Sequence, residues 1–263
     1  MTKTERQAAA RAALDAVANP TKPHRRLFFD IETSPNIGFF WRPGYKLSIG
    51  HDNIIHERAI ICIAWKWEGE DKIYSESWDK NQCDKKLLVS FVKTMHEADE
   101  IVTHNGDRFD VPWVRTRCLK HGISMSPDFV SLDTLKSARG KFYFNSNRLD
   151  YIAKFMGIGQ KKPTGFDLWR DITLNNDKEA LATMMDYCEH DVRLLESVWN
   201  KLNSYVPAKS GRGDTVRDCP ECGSHDTKIT KERTSVTGYK KAQLRCSDCR
   251  KYFTVAKSRL DKL

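Results

Sequence analysis

Asp30 and Glu32 stand two residues apart at the end of the apolar run Leu27-Phe28-Phe29-Asp30-Ile31-Glu32. Two more acidic groups follow, His104-Asn105-Gly106-Asp107-Arg108-Phe109-Asp110 and Tyr187-Cys188-Glu189-His190-Asp191. Neutral water attacks a phosphodiester very slowly, so hydrolysis near neutral pH favours a cation that acidifies the water and a second one opposite the leaving oxygen. Hard cations such as Mg²⁺ take oxygen ligands, and carboxylates gathered from separate elements are what that chemistry needs.

Each group alone has an ordinary explanation. The chain carries its own control at Asp177-Lys178-Glu179, where an acidic pair opens a polar helix and suits the helix dipole. Asp30 and Glu32 differ because the strand period of two puts both carboxylates on one side of a buried strand. Their mutual repulsion is relieved by a cation. Asp110 alone would be a helix N-terminal residue with Pro112 in the favoured first turn. Tyr187 and Asp191, four apart, share one face of a helix and can converge on one point.

The elements that position these residues alternate as in an α/β domain. Leu27–Ile31 is a short apolar strand, and residues 35–57 form a long connection rich in aromatics, with Phe39, Phe40, Trp41 and Tyr45. Arg58–Trp67 and Lys72–Trp78 form a hairpin around Glu68-Gly69-Glu70-Asp71. Leu87, Leu88, Phe91, Val92 and Met95 recur at helical spacing within 83–98. Ile101–Thr103 is the next strand, Val111–His121 a helix closed by Gly122, and Phe129–Leu132 the last strand. Helices then cover 149–156 and 178–206, the second capped near Asn175-Asn176-Asp177 and stopped by Pro207.

Eight cysteines fall into two classes. Cys62, Cys83, Cys118 and Cys188 lie singly in apolar or helical contexts and read as reduced core residues. Cys219, Cys222, Cys246 and Cys249 form two C-x-x-C pairs separated by 23 residues, the spacing of a tetrahedral zinc site, preferred here over disulfides because no secretion signal is evident. The net charge of +9 is uneven: residues 207–263 hold fourteen Lys or Arg against seven Asp or Glu, and residues 25–206 are formally neutral. A polyanion is the natural partner of such a segment, although solubilising surface charge explains it equally well. No apolar run is long enough to span a membrane, so the expectation is an intracellular chain, cytoplasmic or nucleoid-associated and not secreted.

Taken in order, Phe29-Asp30-Ile31-Glu32-Thr33, Asn105 through Phe109-Asp110, and Tyr187-x-x-x-Asp191 resemble the three motifs of the DEDD superfamily of 3′→5′ exonucleases. The resemblance covers about residues 25–205 and implies a ribonuclease H-like fold. A histidine-branch member would carry His where this chain has Asp186, so Tyr187 points to the tyrosine branch. Within it, His104-Asn105-Gly106-Asp107-Arg108-Phe109-Asp110-Val111-Pro112-Trp113 is most similar to the proofreading domain of family B DNA polymerases. The resemblance implies two Mg²⁺ or Mn²⁺ ions, with Asp30 bridging both, Glu32 and Asp191 completing the shell of the first ion and Asp110 holding the second ion, directly or through water. Tyr187 would orient the attacking water, and the product would be a nucleoside 5′-monophosphate. Asn105 and Phe109 would shape the terminal-nucleotide pocket, with core packing the other reading of Phe109. Trp41, or one of its neighbours Phe39, Phe40 and Tyr45, is a candidate base-stacking residue, with core or loop packing the stronger reading for any single one of them. The Cys pairs resemble the knuckles of a zinc ribbon, with Lys228–Glu232 and Tyr239–Arg245 pairing as strands around one structural Zn²⁺.

The expected organisation is an arm or helix over 1–24, an exonuclease domain over 25–206, a linker over 207–216, a zinc ribbon over 217–256 and a basic tail over 257–263. The expected partner is nucleic acid, DNA ahead of RNA, with a protein partner at the ribbon as the alternative. An exoribonuclease and a non-catalytic nucleic-acid-binding adaptor are the competing functions.

Overall fold

A computed structural model describes residues 24–42, 44 and 47–262. The expected N-terminal arm, apart from His24, lies outside the described residues, as does Tyr45.

A five-stranded mixed sheet organises the larger part of the chain. Its strands are β1 (Arg26–Thr33), β4 (Ile60–Trp67), β5 (Tyr74–Ser77), β6 (Glu100–Thr103) and β7 (Val130–Asp133), in the order β5-β4-β1-β6-β7. β1 runs antiparallel to β4 and parallel to β6, and this central place explains its apolar start, with Leu27, Phe28 and Phe29 fully buried. β4 is buried along its whole length. The expected hairpin is formed by β4 and β5, turning at Gly69 with φ +78°.

Helices cover the sheet. α1 (Lys85–His96) buries Leu87, Leu88, Phe91, Val92 and Met95, the residues its spacing selects. α2 (Asp110–His121) ends at Gly122, whose φ of +67° is the left-handed C-terminal conformation glycine favours. The 25-residue α6 (Lys178–Leu202) lies against β1 and β4; Asp177 caps it by accepting from the amides of Glu179 (2.8 Å) and Ala180 (3.1 Å). It stops earlier than expected, because a 3₁₀ turn takes Asn203–Tyr205.

Four elements between and around these were not expected. Residues 35–57 contain a small antiparallel pair, β2 (Ile37–Gly38) and β3 (Ile54–His56), rather than an unpaired connection. α3 (Thr134–Lys141) follows β7 directly, capped by the Asp133 carboxylate on the Leu135 and Lys136 amides. α5 (Phe166–Asn175) precedes α6, while α4 (Leu149–Phe155) matches its expected position.

The C-terminal unit has a three-stranded antiparallel sheet of β8 (Thr227–Thr234), β9 (Lys240–Cys246) and β10 (Tyr252–Ala256). The third strand and a short helix α7 (Lys257–Leu260), where a tail was expected, complete it. This unit is docked on the larger one by buried charge. The Arg26 guanidinium donates to Glu100 (2.8 Å), Glu68 (2.7 Å) and Glu221 (2.9 Å), and Glu221 lies between two knuckle cysteines. Lys251 donates to the Asn203 carbonyl and side chain at 2.6 Å each and to Glu221 at 3.3 Å. Segment 207–216 is tied down as well: Lys209 reaches the Ser131 carbonyl (2.5 Å) and Arg212 the Glu68 carboxylate (2.6 Å). No described helix is long and apolar enough to cross a membrane.

Candidate metal centre and its groove

β1 presents Asp30 and Glu32 on the side opposite Ile31, and the burial pattern over Asp30-Ile31-Glu32 alternates accordingly. α6 brings Asp191 to them, so that carboxylate oxygens of Asp30, Glu32 and Asp191 all lie within 4.8 Å of one another. Asp110 opens α2 beside them and is outside that group of three; it accepts from the Ile31 amide at 3.2 Å. The backbone thereby fixes Asp110 against the strand that carries the pair.

Asp110 reaches this place through a tight turn after β6. Asn105 adopts φ +73°, a left-handed conformation that asparagine tolerates better than most residues. A Cβ on Gly106 would sit 2.0 Å from the Thr103 hydroxyl oxygen, so only glycine fits. The Asp133 carboxylate accepts from the Asn105 amide (3.0 Å) and the Asp107 amide (3.3 Å), bracing the turn while it caps α3. His104 bonds the Thr134 hydroxyl (2.8 Å) and the Asn147 carbonyl (3.0 Å); burial lowers its pKa to about 4, so it is neutral near pH 7.

Electrostatically the centre is short of positive charge. Burial lifts Asp30 to about 7 and, with the neighbouring charge of Asp30, Glu32 to about 8. Burial and Asp30 push Asp110 well up, and burial raises Asp191. Among the described residues, one ammonium faces this charge. Lys161, in the segment between α4 and α5, pairs with Asp191 and lies 3.4 Å from the Tyr187 hydroxyl. Asp191 Oδ1 is buried without a hydrogen-bond partner. Three convergent carboxylates and an unpartnered oxygen fit a hard divalent cation. Burial and the Asp191 charge raise the Tyr187 phenol to about 12, so it keeps its proton and can donate.

A groove of about 1000 Å³ opens from Tyr187, lined by His104, Asn105, Arg139 and Arg148 among others. Asn105 lines the groove, whereas Phe109 is half-buried against the core. Trp41 is fully exposed on a separate cavity formed by its own loop, which shares no lining residue with the groove. Lys161 was missed by sequence reasoning, since a lysine between two helices has no periodic signal. Asp133 was findable: Asp-Thr after an apolar strand is a helix-start signature.

In the C-terminal unit Cys219, Cys222, Cys246 and Cys249 converge within 4.8 Å. The Cys219–Cys249 and Cys222–Cys246 sulfur separations are 3.4 and 3.6 Å. Tetrahedral zinc with bonds of ~2.3 Å sets sulfurs roughly 3.8 Å apart, so the cluster fits one Zn²⁺ after a small expansion.

A 73-residue stretch is 36% identical to DNA polymerase 1 of Sulfolobus acidocaldarius, over 28% of this chain and 8% of that polymerase. The fold is similar to that of the family B DNA polymerase of the archaeon Pyrobaculum calidifontis, with a TM-score of 0.52 and 21% identity. That likeness covers 70% of this chain and 25% of the polymerase, so the chain spans at most a quarter of either relative. Residues 52–203, more than half of the chain, match the RNase H superfamily. This match runs through Asp110, Tyr187 and Asp191, beside a mixed sheet that carries Asp30 and Glu32, and the chain belongs to the RNase H superfamily.

Proposed function

We propose that this protein is a 3′→5′ exonuclease of the tyrosine-branch DEDD type, acting on single-stranded or frayed DNA 3′ ends. The observation that carries the reading is the convergence of Asp30, Glu32 and Asp191, with Asp191 Oδ1 left unpartnered and the group's pKa values raised. The similarity of one stretch to a DNA polymerase supports DNA as the substrate.

Asp30, Glu32 and Asp191 would hold a divalent ion, with Asp110 serving a second one from the helix side. Two Mg²⁺ or Mn²⁺ ions, when bound, supply an acidified water and charge stabilisation at the leaving oxygen. The chain's own groups do the positioning. Tyr187 keeps its proton near pH 7 and donates a hydrogen bond, which orients the attacking water rather than deprotonating it. Lys161 holds Asp191 in place and adds positive charge beside the phosphate. Asn105, presented by its left-handed turn, meets the terminal nucleotide in the groove. Water attacks phosphorus, the bond to the 3′ oxygen of the preceding nucleotide breaks, and a nucleoside 5′-monophosphate leaves.

Matched DNA and RNA strands labelled at the 5′ or the 3′ end, incubated with Mg²⁺ or Mn²⁺, test this. Expected are a descending ladder from 5′-labelled DNA and immediate release of mononucleotide from 3′-labelled DNA. A ladder on RNA alone would make the protein an exoribonuclease, and binding without cleavage of either would make it an adaptor.

A further inference from the structure

The groove beside Tyr187 is lined by the larger unit alone, and a second cleft lies between that unit and the C-terminal one. The groove's wall includes Arg139 in α3 and Asn145 in the loop that follows. Between these two residues the chain builds an aromatic ladder. Phe144 stacks on Phe142 with centroids 5.3 Å apart, and Phe142 meets the edge of Tyr205 at 5.4 Å. Tyr205 in turn lines the second cleft, of about 940 Å³, whose far wall is the C-terminal unit with Tyr239, Tyr252 and Arg259. Lys141, two residues from Arg139 on the same helix, lines this second cleft.

The chemistry along this track is what a flexible polyanion with flat bases requires. Tyr205, Tyr239 and Tyr252 are exposed, at 67%, 56% and 49%, which is unusual for rings that only pack. Arg139 and Arg148 have no acidic partner among the described residues, while the groove's acid, Asp150, is occupied by Lys154 and the Lys161 amide. In the second cleft Asp218 is spent on the Thr215 amide and His225, leaving Asp214 against Lys141 and Arg259. Cations that follow a backbone and rings that stack bases, in alternation, form a sequence-tolerant single-strand site. The buried network of Arg26, Glu221 and Lys251 holds the two walls of the cleft in fixed relation.

We infer that one nucleic-acid strand runs from the carboxylate centre along the groove, over Phe144, Phe142 and Tyr205, and into the cleft under the zinc unit. Tyr239, Tyr252 and Arg259 then hold nucleotides upstream of the 3′ end. This rests on the exonuclease reading for its polarity, but its binding surface is testable without hydrolysis.

The test uses full-length protein carrying Asp30→Asn, with strands of about four and about sixteen nucleotides in DNA and RNA form, spanning the range of single-strand site sizes. Fluorescence anisotropy gives the ratio of affinities, long over short. Adding Tyr205→Ala, Tyr252→Ala and Arg259→Glu should cut that ratio about tenfold or more, with zinc content and melting temperature reporting that the fold is kept. Independently, a photoreactive base placed several nucleotides from the 3′ end should crosslink to Tyr252 or Tyr239, and one near the 5′ end of the short strand should not. An unchanged ratio, or crosslinks that avoid the zinc unit, would overturn the path and leave that cleft to a protein partner. Absence of hydrolysis in the unsubstituted protein, with the length dependence intact, would instead sink only the exonuclease reading.

Discussion

The carboxylate centre and the cysteine cluster each bring together groups that fit a cation, yet they are assembled in opposite ways. The four cysteines arrive as two short knuckles and would close a shell around one Zn²⁺, leaving no position for water. The carboxylates come from β1, α2 and α6, each about eighty residues from the next along the chain, and one of their buried oxygens is left without a partner. A closed soft shell gives a fold; an open hard shell gives chemistry. The contrast predicts that metal removal will have different consequences at the two places.

The largest effect should come from the closed shell. Structural zinc in small domains is worth roughly 10–16 kcal/mol in apparent binding, most of it folding energy. Stripping zinc, or Cys246→Ser at a fully buried ligand, should unfold β8–β10 and expose them to protease, which limited proteolysis with zinc analysis would show. Mild chelation that removes only Mg²⁺ should leave the melting temperature nearly unchanged. Should both treatments unfold the protein equally, the distinction between the two centres fails.

Next is the junction between the two regions. Arg26→Met would leave Glu68, Glu100 and Glu221 without their shared cation, a loss of roughly 3–5 kcal/mol for a buried network. Thermal unfolding followed by calorimetry should show the drop, with the zinc unit loosening first.

A smaller effect concerns pH. Asp30 and Glu32 are raised to about 7 and about 8 from ordinary carboxylate values near ~4, so their folded forms favour the proton. Without divalent ions, their contribution is fully present in acid and is lost as pH rises through about 7 and about 8. Added Mg²⁺ should flatten that decline, and denaturant midpoints measured across the range would check it. A cation-free protein that instead gains stability over this range would contradict the charge balance of the site. Smallest is Tyr187→Phe, which removes one oriented hydrogen bond: a fall of about tenfold in kcat, with KM little changed, is expected from steady-state kinetics. A loss as large as that of a carboxylate ligand would make the phenol more than an orienting group.

What was legible in the sequence follows the same division. The cysteine pairs are local in the chain, and spacing alone exposed them. Asp30 and Glu32 were legible because the strand period places them together at the end of a buried strand, and α1 was legible from its five buried residues. Lys161 was not, because its role exists only once the segment before α5 folds back on α6. α3 and α5 were missed because their apolar faces are thin: α3 buries only Thr134 and Ala138, and α5 only Ile172. The docking of the zinc unit escaped for a related reason. Arg26, Glu100 and Glu221 are far apart in the chain, and charged residues read as surface until a partner is seen. Trp41, singled out for its type, lines a cavity of its own loop that shares no residue with the groove.

The central claim is that the carboxylate centre performs cation-dependent hydrolysis. Its most direct measurement is the rate of mononucleotide release from single-stranded DNA as Mg²⁺ is titrated, for the unsubstituted protein and for Asp30→Asn. The account predicts a saturable Mg²⁺ requirement and a loss of about a thousandfold or more in the variant, with zinc content and melting temperature retained. Hydrolysis that persists in Asp30→Asn, or that proceeds equally well without divalent ions, would contradict it.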